Sequence, residues 1–395
     1  MTRPLTLLLV ADDPDLTTEW QAAEKGLTGL RVVPHFAENH RQAVRVALAQ
    51  QPDVVLLTGG ASDASYEASV HELRDAAPSA AIVGVLDRRN FDSSDAETAF
   101  VVAATRAGVR DFVRRPLSSN ELSASLRRVS EDNRGNPDAD ARRGRVTAFV
   151  SNKGGVGKTT LSVNVACELA RRAPGRVLLV DASLQLGLCA TMLDLEPEVT
   201  MLDVVAQMER LDATLLRELT VPHACGLDLL AAPGSAVDAA RVTEEHLSRM
   251  LAVARNAYDH VVVDTFPILD GIAIATLDRA DEVWQVVAPT VPTVLGAERL
   301  NDLLESVGVE RARQRIVLNT SVPSHSGQLT PQDVATRLAR DIEIVLPFHR
   351  AVVSACNSGR PVILTTGRLN PFRRRVAELV DLIEAPQPAV TEAQG

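Results

Sequence analysis

Lysine is nearly missing from this 395-residue chain: Lys25, Lys153 and Lys158 are the only ones among 41 basic side chains. Aromatic residues are scarce too, at 3%, which argues against a surface that grips single-stranded nucleic acid by base stacking. The four cysteines, Cys167, Cys189, Cys225 and Cys356, are widely spaced and form no CxxC pair. Neither a disulfide framework nor a thiolate metal cluster is expected, and a reducing, cytoplasmic setting fits. No apolar run approaches the ~18 residues that span a bilayer, and Leu5–Val10 is too short for a signal peptide. A net charge of −10 disfavours general nucleic-acid binding, so no specific nucleic-acid partner is expected. What is plentiful is hydrophobic content, 46%, enough for sizeable cores in two or three domains.

Two of the three lysines fall in one loop, Ser151-Asn152-Lys153-Gly154-Gly155-Val156-Gly157-Lys158-Thr159-Thr160. An apolar run, Arg145–Val150, precedes it and a helical pattern, Leu161–Arg171, follows. Strand, glycine loop and helix are the context of a phosphate-binding loop. Gly154, Gly155 and Gly157 let the backbone curl and turn its N–H groups towards an anion. The helix N-terminus adds a positive dipole end. Lys158 can reach the β- and γ-phosphates of ATP, and the Thr159 hydroxyl can ligate Mg²⁺. The standard pattern has glycine at position 152; here it is asparagine.

Strand-like and helix-like stretches alternate through residues 1–130: strands at Leu5–Val10, Leu30–Val33, Asp53–Leu57, Ala80–Leu86 and Val109–Val113, and helices at Asp15–Gly26, Arg41–Gln50, Val70–Ala77, Ala96–Ala107 (Asp95 as N-cap) and Ser118–Glu131. Five such units make a parallel α/β domain. Residues 131–144 are polar and aperiodic and read as a linker. A second α/β domain is expected over 145–384, with strands at Arg176–Asp181, Leu227–Ala231, Tyr258–Asp264, Glu282–Val287, Arg315–Asn319 and Glu343–Leu346, and a disordered tail over 385–395. Asp181 and Asp264 each end an apolar strand, where ligands of doubly wound sheets gather. Val261-Val262-Val263-Asp264 has the form of a Walker B strand, whose Asp holds Mg²⁺.

Together these residues resemble the deviant Walker A ATPases of the ParA/MinD superfamily, whose motif KGGxxGK[ST] stands here as Lys153–Thr159. The resemblance implies a P-loop doubly wound fold, ATP with Mg²⁺, and a nucleotide-sandwich homodimer in which Lys153 reaches the partner's phosphates. It implies a switch role for Asp181, a metal role for Thr159 and Asp264, and phosphate contacts for Gly154, Gly155, Val156, Gly157, Lys158, Thr159 and Thr160. It extends to Leu318-Asn319-Thr320, whose Asn319 would contact adenine, and to Leu346-Pro347-Phe348, with His349 where an acidic residue is common. It also takes in Ala355–Pro361.

The first domain resembles a flavodoxin-like response-regulator receiver. Asp12-Asp13 match the acidic pair that binds Mg²⁺, and Arg114-Arg115-Pro116 stands where receivers carry Lys-Pro. Thr58 replaces the phosphoacceptor Asp, so acyl phosphate cannot form there. A degenerate receiver joined to such an ATPase resembles the CpaE/TadZ proteins, which position tight-adherence (Flp) type IV pilus machinery. Partners among pilus and secretion proteins follow, with at most a peripheral membrane association. One departure stands out: the family's switch I reads Asp-x-Asp, and here it is Asp181-Ala182-Ser183. Serine orients water less strongly than a carboxylate, so nucleotide binding is expected with slow hydrolysis. A MinD-like septum-site role and a ParA-type partition role are the alternatives. Arg373-Arg374-Arg375 opens a helix with Val376, Leu379, Val380 and Ile383 on one face; a face packed on the sheet, with solvated charges, is the simplest account of it.

Overall fold

The computed structural model describes residues 5–11, 13–27, 30–59, 65–78, 80–135, 144–323 and 326–385. Asp12, most of the expected linker and all but the first residue of the tail lie outside them. The chain divides into two compact units, one built from the residues up to 143 and the other from 144 onward, with two short segments, 209–213 and 308–310, grouped with the first.

The first unit alternates strand and helix: β1 Leu5–Val10, α1 Pro14–Glu24, β2 Val32–Ala37, α2 His40–Gln50, β3 Val54–Gly59, α3 Tyr66–Ala76, β4 Ala81–Leu86, α4 Ser94–Ala107, β5 Val109–Arg114 and α5 Ser119–Gly135. The strands run parallel in the order β2-β1-β3-β4-β5, a flavodoxin-like topology. Successive β1 side chains point to opposite faces. Leu7 and Leu9 pack with Leu16, Trp20 and Leu122, whereas Leu8 and Val10 pack with Ala43, Val70 and Leu73. This is why β1 reads as an unbroken apolar run.

Two expectations need correction. The N-cap of α4 is Ser93, whose side chain accepts from Ala96 N; Asp95 sits in the first turn. Both residue types cap well, and the sequence offered both within three positions. Helix α5 continues to Gly135, so residues 131–135 are helical rather than linker. Polar residues on a helix end carry no apolar signal, and the boundary was drawn where that signal stopped.

The second unit holds β6 Arg145–Val150, β7 Val177–Ala182, β8 Val221–Pro222, β9 Leu227–Leu230, β10 His260–Thr265, β11 Glu282–Val287, β12 Gln314–Asn319 and β13 Ile344–Leu346. Their order is β13-β12-β11-β6-β10-β7-β9-β8. All pairs are parallel except β8 with β9, a two-residue antiparallel edge that the sequence reading omitted. The core gathers Phe149, Val163, Leu179 and Val262 with the helix Pro371–Glu384. That helix buries Phe372, Val376, Leu379, Val380 and Ile383. Its apolar stripe is spent on the sheet, as expected. No helix among the described residues is long and apolar enough to cross a membrane.

Candidate functional site

Sheet order sets the site. β6 lies between β11 and β10, and β10 pairs with β7 so that Asp264 stands opposite Asp181. The glycine loop and both carboxylates therefore meet at the carboxyl ends of three adjacent strands.

The loop leaves β6 at Val150 and enters the helix Lys158–Arg172 through Gly157, which has φ +90° and provides no side-chain cap. The first helical N–H groups are thus without a capping acceptor, as an anion-binding helix start requires. A Cβ at Gly154 or Gly155 would meet no atom within 4 Å, so the space over the loop is open. At Gly157 a Cβ would collide with the Asn319 side-chain amide. That amide donates to Val156 O at 2.7 Å. The residue expected at adenine is therefore buried here as a brace of the glycine loop. Pro347 begins one residue beyond Leu346, which pairs with Asn319 across β12 and β13.

Lys158 is buried at 7% exposure. Its Nζ lies 3.1 Å from Asp264 Oδ1 and also donates to Thr265 O. Thr159 Oγ1 donates to Asp264 Oδ2 at 2.7 Å. Thr160 Oγ1 is 3.6 Å from Cys356 Sγ, which ties the loop helix to the Ala355–Pro361 segment. Lys153 is exposed, and its ammonium has no acceptor among the described residues; only its carbonyl is engaged, by Ser151 Oγ at 3.0 Å.

Asp181 accepts from Cys189 N at 3.0 Å and from Ser183 N at 3.3 Å. Burial, and then the neighbouring Asp264 charge, push its carboxyl up to about 6. Asp181, Asp264 and the Cys189 thiol offer ligand atoms within 4.8 Å of one another, all buried. Asp181 and Asp264 stand opposite each other and the one ammonium meets only Asp264, so the pair is short of positive charge. The donor set therefore suits a hard divalent cation, with Thr159 completing it. Ser183 is buried at 7% exposure and turns the chain after β7, its carbonyl accepting from Leu186 N at 3.1 Å.

Sequence reasoning missed three participants. Asn152 packs so tightly on the helix Val291–Ser306 that a Cβ at Gly296 would overlap its side chain; its Oδ1 is buried with no hydrogen-bond partner among the described residues. Cys189 sits eight residues past Asp181, outside any motif. Beside Asn152, a cavity of about 220 Å³ is lined by Phe266, Pro267, Ile268, Leu300 and Leu303. The only sequence signal was the departure from glycine at 152.

The first unit has its own carboxylate cluster. Asp13 caps α1, accepting from Asp15 N at 2.9 Å. Arg115 Nη1 lies 2.7 Å from Asp13 and 3.6 Å from Asp87, and Nη2 lies 2.9 Å from Glu19. The Arg115 side chain is 6% exposed. The cation of this cluster is a guanidinium supplied by β5's end. Thr58 Oγ1 donates to Val10 O at 3.4 Å.

Residues 144–319 match the profile of the AAA domain family. The septum site-determining protein MinD of Thermotoga maritima is 29% identical over 231 residues, covering 56% of this chain and 82% of that protein. Among solved structures, a ParA family ATPase from Chlorobium tepidum superposes with a TM-score of 0.56 at 25% identity, covering 61% of this chain and 99% of that one. MinD of Pyrococcus horikoshii complexed with Mg-ADP gives 0.54 at 18%, covering 61% and 96%, a likeness of fold. The glycine-loop unit is thus similar to ParA and MinD ATPases, and these comparisons support the ParA/MinD superfamily for it.

Proposed function

We propose that this chain is an ATP-binding, ATP-dependently dimerising spatial organiser of the CpaE/TadZ type, serving tight-adherence pilus or secretion machinery, with slow hydrolysis. The observation that carries the nucleotide reading is the open glycine loop with Lys158, Thr159 and Asp264 in one hydrogen-bonded group. Gly154–Thr160 would hold the phosphates, with Thr159 and Asp264 at Mg²⁺. Bound Mg²⁺ would neutralise phosphate charge. Lys158 already sits beside the strand end and needs only to exchange Asp264 and the Thr265 carbonyl for phosphate oxygens. Asn319 holds Val156 and so keeps the loop's curvature. Lys153, exposed and without an acceptor among the described residues, is free to serve a second copy of the chain across a homodimer.

The organiser reading rests on two further observations. Ser183 stands where the superfamily has its second switch Asp, and its short hydroxyl side chain is a poor substitute for a water-orienting carboxylate. In the receiver-like first unit, Arg115 fills the acidic cluster and Thr58 takes the phosphoacceptor's place, which leaves this unit to act as a docking module. Its partners would be pilus or secretion proteins, and any membrane association would be peripheral.

A MinD-like septum-site role is the second reading, favoured by the MinD relatives in the comparisons. Against it, the apolar stripe of Pro371–Glu384 is buried and cannot double as a membrane anchor.

The test is phosphate release and ATP affinity measured side by side for the wild type and Ser183→Asp. Tight binding with slow turnover, raised about 100-fold by the restored carboxylate, supports the organiser. Brisk wild-type turnover identifies a cycling ATPase instead.

A further inference from the structure

Arginines from three places in the second unit line one cleft of about 410 Å³. Arg171 and Arg172 end the helix Lys158–Arg172, Arg368 lies in the turn before the last helix, and Arg373 and Arg374 stand in that helix's first turn. Glu168 is the one carboxylate lining it. Some of these charges are answered within the protein. Arg172 meets Asp381 at 2.7 Å and Glu384 at 2.5 Å, and Arg171 meets Glu168 at 2.7 Å. Arg374 reaches Glu378 only at 3.8 Å. Arg373 donates to the Thr366 carbonyl, and neither it nor Arg368 has a carboxylate partner among the described residues. Burial lowers the Arg373 guanidinium's pKa, and repulsion from Arg171 and Arg368 adds to it. The first turn of Pro371–Glu384 carries Arg373 and Arg374 and no acid, with Arg375 following, against the preference of the helix dipole. Cations gathered against one another and against a dipole are what a bound anion relieves. Guanidinium forks match phosphate oxygens in pairs.

We propose that this cleft is a second anion site, taking an anionic phosphate group. The glycine loop lies at the other end of the same helix, about 20 Å away along its axis. The phosphate can come from a free phosphate ester or from a lipid head group. Leu369, 96% exposed beside Arg368, is placed to enter an apolar boundary in the second case.

The full chain is titrated with inorganic tripolyphosphate by calorimetry, and sedimented with vesicles of phosphatidylglycerol or phosphatidylcholine. Each is repeated for Arg368→Gln and for Arg368→Gln/Arg373→Gln. Arg368→Gln removes no hydrogen bond or ion pair among the described residues and so keeps the fold. All arms are repeated with Lys158→Ala, which disables the glycine loop and spares the cleft, so failure of the loop reading shows separately. Expected is saturable binding that survives Lys158→Ala and weakens about tenfold or more in the double variant. Tripolyphosphate binding identifies a free phosphate ester. Binding to phosphatidylglycerol vesicles alone, reduced also by Leu369→Ser, identifies a head group. No binding of either probe, or binding that the arginine variants leave unchanged, overturns the proposal. So does retention of only a DNA duplex by these arginines, which would make the surface a nucleic-acid contact.

Discussion

In the first unit a guanidinium is held by three carboxylates; in the second an ammonium is held by one, beside an open loop. Both lie at the carboxyl ends of parallel strands, and both are buried. Arg115 is ringed by Asp13, Glu19 and Asp87. Lys158 has Asp264 and a backbone carbonyl, and space where Gly154 and Gly155 leave the loop uncovered. The same element of α/β architecture is thus built once as a closed ion cluster and once as a cation that can exchange partners. Asp181 stands opposite Asp264, and the ammonium meets Asp264 alone, so the second site is under-neutralised and suited to a metal.

The comparison breaks if the two cations behave alike. Lys158→Ala should weaken ATP binding about 100-fold, read by displacement of a fluorescent nucleotide, since it removes a charge-assisted phosphate contact. Arg115→Met should leave that affinity unchanged. It should instead lower unfolding stability by about 2–3 kcal/mol in denaturant titrations, by leaving Asp13 and Glu19 without their cation while Asp87 keeps Arg89. Mg²⁺ without nucleotide should stabilise Arg115→Met more than the wild type. Equal ATP affinities for wild type and Lys158→Ala would remove the distinction between the units.

A smaller effect sharpens it. The Asp181 carboxyl is raised from 3.8 to about 6 by burial and by Asp264. The folded state therefore holds this proton more tightly than the unfolded state. Its contribution is favourable below about pH 4, and it is lost as pH rises through about 6. Asp181→Asn keeps one oxygen acceptor where the carboxylate offers two, to Ser183 N and Cys189 N, and has no charge to desolvate. In chelator, the variant's stability relative to the wild type should rise by up to about 3 kcal/mol between pH 4 and pH 7. Parallel pH curves for the two proteins would mean that Asp181 is not under this strain.

Much of this was legible in the sequence because it is local. The glycine loop, the apolar strands and the strand-end aspartates announce themselves by spacing, and sheet order then brings Asp181 opposite Asp264. What was not legible depends on contacts between distant segments. Asn319 carries nothing in its sequence that says it braces Val156, 163 residues away. Gly296 looks like an ordinary helical glycine until Asn152 is seen against it. Arg115 could be aligned with a lysine, but its partners come from the cap and body of α1, Asp13 and Glu19, and from the end of β4, Asp87. The arginine cleft joins residues some 200 positions apart, which in sequence read as three unrelated charge pairs and runs. The two-residue strand β8 is too short to carry a period-two pattern.

The central claim is that nucleotide joins two copies of this chain without being spent quickly. Sedimentation velocity of the wild type and Lys153→Ala, with and without ATP and Mg²⁺, tests it most directly, with phosphate release followed in the same samples. The account predicts a dimer only for the wild type with ATP, persisting while little phosphate appears, and a monomer for Lys153→Ala that still binds nucleotide. A mass that ignores ATP, or a dimer that Lys153→Ala leaves intact, would contradict it.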